Sequence, residues 1–236
     1  MTSFSTKNYS LVLEAIKDRP HDLETFSTYA PENRFIEAHL GDFNLSFSVS
    51  DEDGSIFSMA LGRDPAILNC DRLSTTRGVV VNPSEFQHRA NWDFYSIDND
   101  RFRTLDKATL SENDLEISDF LKSHAPNSSV WPGDKEILFW GEKRIDDTLV
   151  SLGALVKWRT GQVMFASIAT HMDHRGKGFA QQLVSEMLAT AAMQGITHIG
   201  LGVFAENAAA KRAYEKVGFE LVNEFSSYNV IKHISN

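Results

Sequence analysis

The chain has 236 residues, of which 42% are hydrophobic and 23% are charged. This composition is ordinary for a folded globular protein, and it excludes a disordered, collagenous or disulfide-scaffold chain. The formal net charge of −9 disfavours nucleic acid as a partner, because phosphate binding needs a basic surface.

Cysteine content and the N-terminus indicate the compartment. Cys70 is the single cysteine, so the chain forms no internal disulfide and cannot supply a thiolate metal cluster by itself. The first ten residues lack the charged segment and apolar run of a signal peptide. No apolar run approaches the ~20 residues of a membrane span. We therefore expect a cytoplasmic protein without a metal.

Residues 1–89 contain weak structural signals. Residues 10–18 have the apolar spacing of a short helix. Residues 43–50 and 55–63 alternate apolar and polar side chains, and the DEDG sequence between them predicts a β-hairpin. We expect this part to be an accessory region, and residues 90–236 to form the main domain.

Stronger signals follow residue 90, where predicted strands and helices are interspersed. The helix predicted at 114–124 has acidic residues in its first turn, where the helix dipole favours them. The longest predicted helix, 176–194, has one apolar face and follows a strand at 162–170. The other predicted elements are a helix at 208–216 and strands at 92–97, 136–140, 149–158, 199–204, 219–225 and 228–233. The pattern predicts a layered α/β (α+β) fold.

The clearest chemical signal is SIATHMDHRGKGFAQQLV, residues 167–184. It predicts a strand, then a turn containing Gly176 and Gly178, then the long helix. The first turn of a helix has backbone N–H groups without partners and a partial positive charge. The glycines let a phosphate approach these groups, and Arg175 and Lys177 add positive charge. The segment predicts a diphosphate-binding turn; the alternative is a glycine-rich turn without a ligand.

A second segment, LGVFAENAAAKRAYEKVGFE at residues 201–220, narrows this interpretation. The first segment lacks both the Walker pattern and the dinucleotide-binding G-x-G-x-x-G pattern. Instead, Asn207, Ala210, Tyr214 and Gly218 follow the glycine turn at a fixed spacing. With both motifs in this order, the chain resembles the GNAT superfamily of acyl-CoA-dependent N-acyltransferases.

The resemblance covers residues 90–225 in architecture and 166–220 in motif. It implies a mixed, mostly antiparallel central sheet with helices on both faces. The sequence IATHMDHRGKG also resembles an actinobacterial-type subgroup, from which it departs at Met172, usually Pro, and at Ala180, where many members have Gly. Residues 1–89 lie outside the family's minimal core as a smaller α/β region. They are either a substrate-capping domain or a degenerate second copy of the fold.

The same resemblance implies acetyl-CoA as the cosubstrate and no metal. Backbone groups of Ile168 and Thr170 would bind the pantetheine amides, and the glycine turn would bind the pyrophosphate. Asn207 would contact the coenzyme arm, cap its helix, or do both. The full predicted coenzyme-binding set is Ile168, Ala169, Thr170, Arg175, Gly176, Lys177, Gly178, Phe179, Ala180 and Asn207.

Tyr214 is the predicted catalytic residue. A phenol near the sulfur can protonate the thiolate as it leaves, acting as a general acid. The alternative is that Tyr214 is a core aromatic residue. The general base is open between His171, Glu142 and Glu136, and the proton can also leave through water.

These features predict an N-acetyltransferase that transfers an acetyl group from acetyl-CoA to a primary amine by direct attack in a ternary complex. The alternative is a non-catalytic acyl-CoA-binding or sensing module. The acceptor is expected to be a small-molecule amine or a peptide amine, and polyamines, aminoglycoside-like compounds, amino acids and protein N-termini all fit. We expect no nucleic acid and no membrane as partner, and the sequence leaves a homodimer open.

Overall fold

The computed structural model describes residues 3–102 and 106–231 of the chain. Short 3₁₀ helices cover Glu32–Arg34, Asp100–Phe102 and Met172–His174. The α-helices are α1 (Tyr9–Ile16), α2 (Pro20–Tyr29), α3 (Asp114–His124), α4 (Phe179–Met193) and α5 (Ala208–Val217). The strands are β1 (Phe4–Thr6), β2 (Phe35–Leu40), β3 (Leu45–Ser50), β4 (Ile56–Leu61), β5 (Arg72–Thr76), β6 (Phe86–Asp98), β7 (Thr109–Ser111), β8 (Ile137–Ile145), β9 (Thr148–Lys157), β10 (Val163–Thr170), β11 (His198–Phe204) and β12 (Glu220–Val230).

The chain divides into two compact units. Unit 1 takes the described residues of 1–94, 204–206 and 222–236, and unit 2 takes those of 95–203 and 207–221. Strands β6 and β12 therefore contribute residues to both units. None of the described helices combines the length and the apolar character that are needed to cross a membrane.

In unit 1 the strands follow the order β1-β2-β3-β4-β5-β12. Neighbours are antiparallel except for β4 and β5, which are parallel. Aromatic rings of Tyr9 on α1 and Phe26 on α2 pack with Phe35 and Phe47 on the sheet, at centroid distances of 5.0–5.8 Å. This unit has its own core, formed by two short helices on one sheet.

In unit 2 the order is β11-β10-β9-β8-β7, with β10 and β11 parallel and the other pairs antiparallel. The α4 side chain Met187 lies against Gly141 of β8. Side chains alternate between the faces of a strand, so the next residue, Glu142, points to the other face. There Arg144 bonds to both Glu142 and Glu116 of α3. Helices α3 and α4 therefore cover opposite faces of the sheet.

This architecture confirms the predicted fold class, a mixed and mostly antiparallel sheet with helices on both faces. The predicted hairpin forms as β3 and β4, and the helix predicted at 114–124 forms as α3. One prediction is wrong: the two final strands at 219–225 and 228–233 are the single strand β12, while residues 232 and 233 lie outside the described residues. The weak patterns in residues 1–89 did not predict α2, β2 or β5.

Candidate functional site

The parallel strands β10 and β11 pair over a short length. In the described chain their paired residues are Met164 with Gly200 and Phe165 with Leu201, although β10 continues to Thr170. A register shift against β9 follows immediately, between Ala166 and Ala169. Because an extra residue bends the strand that carries it, the bulge turns the end of β10 away from regular pairing. The result is an open edge on β10 beyond Phe165.

The backbone of β10 presents polar groups along this edge. The His171 N–H donates to the Val150 carbonyl of β9 at 2.9 Å. Main-chain groups alternate in direction along a strand, so Ala169 also faces β9. Ile168 and Thr170 consequently turn their N–H and C=O groups toward the side of β11. Such an edge can bind the amides of an extended ligand as a neighbouring strand would.

Two serine hydroxyls fix this part of β10. Ser151 of β9 donates to the Ala169 carbonyl at 2.9 Å, and its Oγ lies 3.1 Å from Thr170 Oγ1. Ser167, inside the bulge, accepts a bond from the Val130 N–H at 3.1 Å and donates to the Val130 carbonyl at 3.0 Å. Ser151 lies outside both sequence motifs, and although Ser167 begins the segment 167–184, no pattern marks its hydroxyl, so the sequence alone did not identify either role.

The predicted glycine turn follows β10 after the short 3₁₀ helix Met172–His174. Gly176 and Gly178 have φ angles of 76° and 87°, in the left-handed region that favours glycine. A Cβ atom added at either position would meet no heavy atom within 4 Å, so both glycines border open space. The turn therefore has room for a ligand beside its backbone.

The N-terminus of α4 begins at this turn without a side-chain cap. Gly178 is its N-cap residue and provides no side-chain hydrogen bond. By contrast, side chains of Asn8, Asn113 and Asn207 cap α1, α3 and α5. The first backbone N–H groups of α4 and its helix dipole are thus directed at the open turn, an arrangement that favours an anion.

Two positively charged residues, Arg175 and Lys177, lie in the turn. Arg175 also forms hydrogen bonds with neighbouring segments of the protein. Its Nε donates to the Thr170 carbonyl at 3.1 Å, and its Nη2 donates to the His124 carbonyl at 3.0 Å. Lys177 is exposed, while Phe179 and Ala180 are half-buried in the first turn of α4. The Arg175 guanidinium therefore brings its charge to the turn while joining the ends of β10 and α3.

Three histidine rings lie beside the glycine turn. The ring centroids of His124 and His171 are 4.3 Å apart, those of His171 and His174 are 5.5 Å apart, and His174 is 5.8 Å from Phe179. Burial, followed by the charges of His171 and Arg175, lowers the pKa of His124 below its ordinary value. The sequence analysis singled out only His171, although His174 lies in the same motif; His124 comes from α3, far away in the chain.

Tyr214 and Asn207 lie on α5 and at its start. The Tyr214 ring is 8% exposed and belongs to the core of unit 2, with its centroid 6.0 Å from that of Phe219. Burial raises the pKa of Tyr214 to about 12. Asn207 Oδ1 accepts a bond from the Ala210 N–H at 3.1 Å, so this side chain does cap the helix.

The carboxylates suggested as general bases have protein partners. Burial raises the pKa of Glu142, but hydrogen bonds from Arg144 and Ser111 and the charge of Arg144 outweigh it, and the net shift is downward. Glu136 lies 3.8 Å from Arg159. A carboxylate with a lowered pKa is a weaker proton acceptor, so the geometry disfavours Glu142 as a base.

The mixed sheet, the bulged strand and the uncapped helix after a glycine turn define an α/β protein with a site suited to an extended ligand that carries an anionic group. Comparison with known families agrees: residues 91–219 match the model of the Acetyltransferase (GNAT) family. The chain therefore belongs to the GNAT family of acetyltransferases.

Curated relatives share part of this region. The chain is 30% identical over 95 residues to the uncharacterized N-acetyltransferase YsnE of Bacillus subtilis, covering 39% of this chain and 62% of that protein. It is 40% identical over 47 residues to the uncharacterized N-acetyltransferase YycN of the same organism, covering 20% of this chain and 30% of that protein. The matches thus span less than two thirds of either relative.

Solved structures share the fold over more of the chain. A GCN5-related N-acetyltransferase from Kribbella flavida has a TM-score of 0.55 at 12% identity, covering 91% of this chain and 95% of that one. A GNAT-family acetyltransferase from Novosphingobium aromaticivorans has a TM-score of 0.52 at 18% identity, covering 80% of this chain and 88% of that one. At these identities the likeness establishes the fold alone.

Proposed function

We propose that this protein transfers an acetyl group from acetyl-CoA to a primary amine by direct attack in a ternary complex. The observation that carries the proposal is one continuous segment of unit 2. The edge of β10 that can bind amides leads into a glycine turn and an uncapped helix N-terminus that can bind phosphates. Acetyl-CoA has amides and a pyrophosphate in the same order along one chain.

Each predicted coenzyme-binding residue has a role in this proposal. Backbone groups of Ile168 and Thr170 bind the pantetheine amides, and Ala169 between them continues the strand. Gly176, Gly178 and the first turn of α4, with Phe179 and Ala180, surround the pyrophosphate. Arg175 and Lys177 supply positive charge, and Asn207 fixes the start of α5. All of these residues except Asn207 lie in one continuous stretch of the chain, 168–180.

Tyr214 is the proposed general acid. The amine attacks the thioester carbon, and when the tetrahedral intermediate collapses the C–S bond breaks and the phenol gives its proton to the thiolate. Because burial raises the pKa of Tyr214 to about 12, the phenol is protonated throughout the neutral range. Burial is also the main cause that raises the pKa of Cys70, which disfavours a thiolate nucleophile and an acyl-enzyme.

The remaining proposals concern the acceptor, the roles of the two regions of the chain, the cellular compartment and the subgroup. We propose that residues 1–89 act as an accessory region that influences the choice of acceptor, and that residues 90–236 bind the coenzyme. The acceptor is a small-molecule or peptide amine, and the protein acts in the cytoplasm without nucleic acid or membrane. The IATHMDHRGKG sequence supports membership of an actinobacterial-type subgroup.

Two measurements on the unmodified protein test the proposed function. Calorimetry with acetyl-CoA measures binding of the donor, and a thiol reagent measures release of coenzyme A in the presence of a panel of primary amines. We expect saturable binding, with release that depends on the amine. Binding without release for any amine would favour the sensing module, and no binding would refute the acyl-CoA site.

A further inference from the structure

Ser167 has an unusual backbone conformation inside a strand. Its φ angle is 51°, in a region that residues other than glycine seldom adopt. It lies between Ala166 and Ala169, where the register of β10 shifts against β9. Such conformations persist where surrounding contacts enforce them, and they cluster at functional sites.

The Ser167 hydroxyl makes two hydrogen bonds to one residue. Its Oγ accepts from the Val130 N–H at 3.1 Å and donates to the Val130 carbonyl at 3.0 Å. Val130 is 2% exposed, so its backbone groups depend on this hydroxyl more than on water. One side chain thus replaces the backbone partner that a regular strand would have provided to this segment.

A second attachment joins the same two segments a few residues away. Arg175 donates to the Thr170 carbonyl and to the His124 carbonyl, which links the end of β10 to the end of α3. The segment from His124 to Val130, which we call the brace, is consequently bonded to β10 near both ends of Ser167–Thr170. That stretch includes Ile168 and Thr170, whose backbone groups lie on the side of the open edge, and of these the Thr170 carbonyl already accepts the bond from Arg175.

We propose that Ser167 is a positioning residue for the acyl donor: through the brace it fixes the bulge, and so sets the direction in which β10 presents the backbone groups of Ile168 and Thr170. This inference rests on the proposed function, because it assigns the pantetheine arm to that edge. It extends the function to a residue that touches no ligand itself. It also assigns a role to the brace, which lies outside both sequence motifs.

Ser167→Ala is the informative substitution, because it keeps the Cβ atom and the same φ requirement and deletes only the hydroxyl. The matched control is Ser185→Ala, whose hydroxyl donates to the Gln181 carbonyl within α4. Two ligands are titrated by calorimetry: acetyl-CoA, and 3′-phospho-ADP, which is the coenzyme without its pantetheine arm. Thermal melts of both variants report folding.

We expect Ser167→Ala to weaken acetyl-CoA binding roughly tenfold, because without the two hydrogen bonds to Val130 the bulge must be ordered when the pantetheine arm binds, and to leave 3′-phospho-ADP binding unchanged. Ser185→Ala should alter neither affinity. Equal loss for both ligands would mean general damage and would overturn the inference, as would unchanged acetyl-CoA binding. If Ser167→Ala does not fold, Ser167→Gly, which suits the φ angle, should give the same selective loss. Failure of the unmodified protein to bind either ligand would instead refute the proposed function.

Discussion

At the scale of single residues, Tyr214 combines a buried ring with a hydroxyl that has no hydrogen-bond partner among the described residues. A neutral thioester sulfur accepts hydrogen bonds weakly, but negative charge builds on it as the C–S bond breaks. An interaction made mainly in the transition state lowers turnover when it is removed and has little effect on ground-state binding.

We therefore expect Tyr214→Phe to reduce turnover by at least ~10-fold and to leave acetyl-CoA affinity nearly constant. The ring remains, so packing against Phe219 should survive. Steady-state kinetics and direct titration of the coenzyme measure the two quantities separately. Near-normal turnover would show that Tyr214 is a structural residue and that the thiolate leaves without its proton.

The lowered pKa of His124 implies that the free energy of unfolding depends on pH. Burial is the main cause that lowers its pKa below 6.5 in the folded protein, with His171 and Arg175 adding to it and Asp173 opposing it. As the pH falls through 6.5, the unfolded chain takes up a proton that the folded protein resists, so the free energy of unfolding decreases.

The corresponding measurement is the loss of melting temperature between pH 7.5 and pH 5.5. Part of that loss should disappear in His124→Gln, because this variant lacks the imidazole at that position. His88→Gln, at an exposed histidine of unit 1, is the matched control for replacing a histidine by glutamine. An identical loss in the wild type and in His124→Gln would contradict the role of His124.

At the scale of elements, the join between β10 and α4 is the feature that a substitution can test most directly. Gly178 and Gly195 flank α4, both have positive φ angles, and a Cβ atom added at either would have no heavy atom within 4 Å. Valine at either position carries a similar backbone cost of ~1–2 kcal/mol. At Gly178 alone it would also occupy the space in front of the helix N-terminus.

Gly178→Val should therefore weaken acetyl-CoA binding at least ~tenfold, equivalent to about 1.4 kcal/mol, while Gly195→Val should bind normally. Comparable melting temperatures of the two variants would show that valine has the same backbone cost at both positions. If the two variants bind acetyl-CoA equally well, the turn does not hold the pyrophosphate.

Elements whose signals are local in the chain were predictable, and those that depend on distant partners were not. The glycine turn and α5 are contiguous motifs, so their residues identify them directly. The bulge at Ser167 has no sequence signal, because its conformation depends on Val130 from another segment. Strand β5 was not predicted because its buried side chains include Ser74 and Thr75. These polar residues interrupt the alternation of apolar and polar side chains that is typical of a half-buried strand.

Strand β12 shows the same limit in another form. The two predicted strands, 219–225 and 228–233, left out the serines at 226 and 227, a type of residue that is frequent in turns. In unit 1 these side chains instead have partners on neighbouring strands: Ser226 bonds to Asn91, and Ser227 bonds to Ser74 and Trp92. These serines form hydrogen bonds across the sheet with residues that are distant in the sequence, so a local sequence pattern does not reveal them.

At the scale of the whole molecule, the two units share a strand order. In unit 1, β1 to β5 form three antiparallel pairs followed by a parallel pair, and in unit 2, β7 to β11 do the same in the same sequence. This agreement favours the interpretation of residues 1–89 as a degenerate copy of the fold over an unrelated capping domain.

The two units differ in how the parallel strands are joined. In unit 2 the connection from β10 to β11 contains α4, whereas in unit 1 residues 62–71 join β4 to β5 without a helix. The strand order thus occurs twice in the chain, but the helix that connects the parallel strands occurs once. The two connections are therefore under different selective constraints. Under the proposed function, substitutions in the β10–β11 connection are constrained by coenzyme binding as well as by folding, a constraint that the β4–β5 connection lacks. Sequence drift among descendants of this chain should therefore accumulate faster in the β4–β5 connection than in the β10–β11 connection.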